Sequence, residues 1–151
     1  MPSLQVNLKK ISTGQSSFHC RRPDGSDVWS RVHPFYPGHD LTHYAVETAL
    51  GLQQGFFGLI ASGWELSDFI EKSVSARLPT GAIWAECAVG VTELLSRPAP
   101  PSRATWQEAL DQSVAGQKLP AFRTVTDAEY ARLNSLRGAL LEQWSALPVG
   151  E

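Results

Sequence analysis

Residues 33–38, His-Pro-Phe-Tyr-Pro-Gly, separate two kinds of pattern in this chain. Proline has no amide hydrogen and disfavours helical geometry in the residue before it. Two prolines this close predict an irregular segment, with a strand-like half upstream and a helical half downstream. Upstream, Leu4, Val6 and Leu8 alternate with polar residues before the pattern slips to Ile11, a period-two strand signal over residues 4–11. Ser12-Thr13-Gly14-Gln15 reads as a turn, and residues 17–22 as the returning strand. Pro23-Asp24-Gly25-Ser26 is a second turn, because proline presets φ and glycine accepts positive φ. A third short strand follows at 28–32.

Downstream the apolar residues recur at helical spacing. The pattern predicts a helix over about 40–53, an apolar piece at 56–61, and a short helix over 64–75. A long helix over 81–96 has Thr80 in the capping position. Residues 97–102, Arg-Pro-Ala-Pro-Pro-Ser, form a semi-rigid connector between subelements. Thr105 is placed as the cap of a helix to about 115, and 116–124 as a loop. Thr126 with Glu129 three residues later is a capping box that opens a last helix to about 147. Tyr130, Leu133, Leu136, Leu140, Leu141 and Trp144 give this helix an apolar stripe. The expected architecture is α+β and mostly helical, with an N-terminal antiparallel meander (about 4–32) and about five helices. It is one domain, divided into 1–32, 39–97 and 104–147.

Composition bounds the function. The 151 residues are 42% apolar and 19% charged, enough to bury a core. A net charge of −2 with scattered basic residues gives no field to recruit nucleic acid or an anionic membrane. The segment 41–64 is nearly free of charge, but Glu47 and four glycines interrupt it, so a buried helical hairpin explains it better than a membrane span. Cys20 and Cys87 lack CxxC spacing and read as buried thiols. No signal-peptide pattern opens the chain, so a cytoplasmic location is expected.

The functional signal is His39-Asp40-Leu41-Thr42-His43, with Glu47 four residues on. Each helical residue turns about 100°, so His39, His43 and Glu47 share a stripe about 80° wide. Leu41, Tyr44, Ala45, Ala49 and Leu52 lie roughly opposite, while Val46 and Leu50 flank the histidines. Apolar residues on several sides imply a buried helix, and a buried polar stripe needs partners. Histidines at i and i+4 can aim both rings at one ion.

Glu47 lies about 12 Å along the helix from His39, better placed to fix the His43 tautomer than to reach a shared ion. The third ligand is sought in Glu65, with Asp68, Glu71, Glu86 and the upstream His33 as the other candidates. Asp40 has three readings: ligand, counterpart of the HExxH base, or N-cap. Asp40 and Glu47 are therefore the candidate catalytic carboxylates.

His39-Asp40-Leu41-Thr42-His43 also resembles the HDxxH motif of the ubiquinone-biosynthesis zinc-motif family. The resemblance covers five residues. It implies metal binding and a mostly helical fold. The downstream glutamate spacing departs from the family's, so it carries little toward quinone chemistry. Two functions follow from the residues. One is a Zn²⁺- or Fe²⁺-dependent hydrolase or lyase acting on a small molecule. The other is a non-catalytic interaction or assembly domain that forms a homodimer through edge strands and the last helix, with His39, Asp40 and Glu47 as a structural network.

Overall fold

The computed structural model describes residues 4–12, 15–32, 36–69 and 78–150. Three strands, β1 (Gln5–Ser12), β2 (Gln15–Arg21) and β3 (Asp27–Val32), form an antiparallel sheet in the order β1-β2-β3. The slip at Ile11 appears as a register shift between Lys10 and Ser12. Gly25 takes φ +88 in the β2–β3 turn, where Asp24 Oδ1 accepts from the Ser26 amide at 2.9 Å. Phe18, Cys20 and Val28 form the inner face of the sheet and pack with Phe57 and Ile60. Trp29, on the other face, is 60% exposed.

The helices among the described residues are α1 (Tyr36–Leu50), α2 (Phe56–Ala61), α3 (Thr80–Leu95), α4 (Arg103–Gly116) and α5 (Asp127–Ala146). The α+β, mostly helical architecture expected from the pattern is thus present. Helix α1 is central, packing on α3 and α5, while α3 also packs on α4. Val46, Val89, Trp106, Leu110, Val114 and Leu133 are among the buried side chains of the helical core. Trp106 Nε1 donates to Thr92 Oγ1 at 3.0 Å, so its polar atom is satisfied inside that core. Arg22, 7% exposed, ties the sheet to the end of α2 by donating to the Ile60 and Trp64 carbonyls, each at 2.6 Å.

Several boundaries differ from the expectation. Helix α1 starts at Tyr36 rather than near residue 40, because Pro37 falls in the first turn, where no amide donor is needed. Asp40 is therefore inside the helix and is not its N-cap. Of the expected helix over 64–75, only a 3-10 turn at Leu66–Phe69 is described, and residues 70–77 lie outside the described residues. Thr80 is the first residue of α3, and Pro79 occupies the cap position. Ser102, not Thr105, caps α4, its side chain accepting from the Thr105 amide. The Thr126–Glu129 capping box is present at the start of α5. The expected turn residues Thr13 and Gly14, and residues 33–35 of the proline-rich segment, are also outside the described set.

Candidate metal centre

Because α1 starts early, His39 and His43 are both helical, and one turn brings their rings together. The ring centroids are 4.8 Å apart, edge to face at 77°. The stripe they occupy faces α3, which supplies two carboxylates seven residues apart. Seven residues are nearly two turns, so Glu86 and Glu93 share one side of α3. Glu93 Oε1 pairs with His39 Nδ1 at 2.5 Å, and Glu86 Oε1 with His43 Nε2 at 3.1 Å.

The other nitrogen of His43 is also held. Its Nδ1 pairs with Glu47 Oε2 at 3.1 Å. Glu47, 6% exposed, is itself fixed by the backbone, accepting from Phe56 N at 2.8 Å and Phe57 N at 3.0 Å. These amides open α2, whose first donors have no partner within the helix. A side chain at residue 55 would not fit there, since a Cβ on Gly55 would stand 2.3 Å from Glu47 Cδ. The chain comes so close to Glu47 that glycine is the only residue accommodated without displacement.

One ligand atom from each of His39, His43 and Glu86 falls within 4.8 Å of the other two. Donors about 2.1 Å from a tetrahedral ion stand roughly 3.4 Å apart, so binding would draw the three together by an ångström or so. Glu86 has 55% of its side chain exposed and only His43 Nε2 as its described ion-pair partner, so a rotation of its carboxylate meets little packing. Each imidazole meanwhile has Nδ1 on a carboxylate, Glu93 for His39 and Glu47 for His43. Carboxylates in that position fix ring orientation and tautomer and leave Nε2 to the ion.

Electrostatics favour positive charge at this point. Burial would depress the His43 pKa, but hydrogen bonds to Glu47 and Glu86 outweigh it and push the group up to about 9. The same bond from His43 holds Glu86 below the usual carboxylate range, against the effect of its burial. Asp40 is pushed up to about 6 by burial, opposed by the charges of His39 and His43.

No family model matches the chain, and no curated protein or solved structure matches it either. The reading of the site therefore rests on its geometry.

The expected site residues fare differently. His39 and His43 converge. Glu65 is not brought to them: it lies beside Arg22 Nη2 at 3.5 Å, held there by the contact between the sheet and the end of α2. Asp68 accepts from the Glu65 amide at 2.8 Å within the same turn. His33 and Glu71 lie outside the described residues. Among the candidates weighed, Glu86 is the carboxylate in the group. Glu47 stands on the Nδ1 side of His43, with both oxygens engaged. Asp40, 8% exposed, borders a cavity of about 310 Å³ lined also by Leu8, Leu41, Tyr44 and Trp144. Neither that cavity nor a neighbouring one of about 300 Å³ is lined by His39, His43 or Glu86. The group instead reaches solvent directly, through the part-exposed side chains of His39, Glu86 and Glu93.

Glu93 was not anticipated. Its signal was present in α3, where Glu86 and Glu93 are the only charged residues of an otherwise uncharged helix and share a face.

Proposed function

We propose that His39, His43 and Glu86 bind a divalent metal ion, Zn²⁺ or Fe²⁺, and that the protein is a metal-dependent hydrolase or lyase acting on a small molecule. The observation that carries this reading is the double arrangement of the imidazoles. Each has one nitrogen on a carboxylate, and both rings bring a ligand atom within 4.8 Å of a third, part-exposed carboxylate, Glu86. Two histidines and one carboxylate form a donor set suited to these ions, with positions left open for water and substrate. The ion would supply Lewis acidity and lower the pKa of water there. The chain's own part is to orient: Glu93 sets His39, and Glu47, fixed by two amides, sets His43. The HDxxH resemblance supports the same reading.

Metal analysis of protein purified without an affinity tag tests it. The wild type is expected to carry about one equivalent of metal, as a site built from deprotonated side chains on a folded scaffold retains its ion. The His39→Ala/His43→Ala protein and Glu86→Gln are expected to lose most of it. Equal and negligible metal in the wild type and the double variant overturns the reading.

A further inference from the structure

An arginine of the last helix reaches the helical turn that carries His39 and His43. Arg137 comes from α5, is half-buried, and its Nε donates to Thr42 Oγ1 at 2.9 Å. Thr42 is fully buried, and its hydroxyl donates a hydrogen bond to the Gly38 carbonyl at 2.9 Å. The Arg137–Thr42–Gly38 chain fixes the guanidinium against the same helical turn that carries His39 and His43. Thr42 lies between the two histidines in sequence, three residues after the first and next to the second.

Burial lowers the Arg137 pKa, and the charge of Glu93, the residue that holds His39 Nδ1, opposes that lowering. Even so, no ion pair within 4.0 Å joins Arg137 to a carboxylate among the described residues. Only its Nε is engaged by a described residue. A guanidinium has five donors in a planar fork, and the four N–H groups on the two terminal nitrogens have no acceptor among the described residues. That fork matches a carboxylate or phosphate bidentately, and partial burial strengthens such a pair relative to water.

We propose that Arg137 is the anion-binding arm of the centre: its terminal N–H groups hold a carboxylate or phosphate group of the substrate while another part of that molecule lies at His39, His43 and Glu86. This rests on the metal reading above and narrows its substrate class to small oxyanionic molecules. Arg137 is a binding residue here, and Thr42 positions it. A purely structural Arg137, stapling α5 to α1, would affect stability and leave anion affinity untouched.

The test uses full-length protein loaded with Co²⁺, with inorganic phosphate and acetate as separate calorimetric probes. Co²⁺ content is measured on every sample. The wild type is expected to bind one of the two anions, and which one distinguishes a phosphate from a carboxylate substrate. Arg137→Gln is expected to weaken that binding about tenfold or more at unchanged Co²⁺ content, the scale of a lost charge-assisted bidentate contact. Arg137→Lys, which keeps the charge and loses the fork, is expected to fall between and serves alone if Arg137→Gln does not fold. Equal anion affinity in wild type and variants, with Co²⁺ still bound, overturns the role of Arg137 and leaves the metal reading standing. Binding of neither anion by the Co²⁺-loaded wild type also overturns it. Failure of the wild type to retain Co²⁺ overturns both.

Discussion

Glu47→Gln separates a positioning carboxylate from an incidental one. In the native protein Oε2 accepts from His43 Nδ1 at 3.1 Å and Phe56 N at 2.8 Å, while Oε1 accepts from Phe57 N at 3.0 Å. A glutamine keeps the shape but only one acceptor oxygen. If that oxygen takes the place of Oε2, the new NH₂ group faces the Phe57 amide, donor against donor. Leaving that buried amide unsatisfied costs about 1–3 kcal/mol. The two remaining bonds change from charge-assisted to neutral, at about 1 kcal/mol between them. The opposite orientation loses two bonds and is worse.

The expected cost is therefore about 3 kcal/mol, which leaves a domain of ordinary stability folded. For a chain of this size the melting temperature should drop by roughly 6–12 °C. Chemical denaturation of the metal-free protein measures the free energy, and NMR titration follows the His43 ring. The His43 pKa, about 9 in the native protein, is expected to fall, because one of the two carboxylates raising it has lost its charge. A cost below about 1 kcal/mol, the worth of one ordinary hydrogen bond, refutes the assignment, as does an unmoved His43 titration.

Three further outcomes follow. In metal-free protein, the folded pKa of His43, about 9, stands above the unfolded value of about 6.5. Its contribution is thus fully present below about pH 6.5 and lost as pH rises through about 9, up to roughly 3 kcal/mol. Urea denaturation across that window checks it, and a stability that stays level, or that His43→Gln leaves equally pH-dependent, contradicts it. Gly55→Ala forces its new Cβ onto Glu47 and should destabilise the protein by more than about 1 kcal/mol. In the Glu47→Ala/Gly55→Ala double variant the clash is gone, so denaturation should show a coupling above about 0.5 kcal/mol; additive effects would contradict the contact. Arg22→Met leaves the Ile60 and Trp64 carbonyls without their donor and should cost about 2–4 kcal/mol by the same measurement, with metal content unchanged, because that contact lies away from the imidazoles.

Local patterns reached far into this fold. Alternation placed the first strand, the two turn signals placed the second and third, and the slip at Ile11 marked the register shift in β1. The Thr126–Glu129 box is a contact between residues three apart, and it is present as read. The helix starts were less legible. Proline-rich segments were taken as excluding helix, yet a first turn tolerates Pro37, and that one turn puts His39 inside α1.

The histidine spacing and the helical tendency around it were determined by residues near one another in the chain, because a helix fixes i and i+4 on one face wherever it is packed. Which carboxylates meet them was decided only by tertiary structure. Glu65, Asp68 and Glu86 are comparable in sequence, and nothing local tells them apart. The packing of α3 on α1 brings Glu86 and Glu93 to the rings, while the contact of the sheet with α2 draws Glu65 to Arg22. Those choices depend on how separate apolar faces bury one another, and side-chain periodicity within a single element carries no record of its partner.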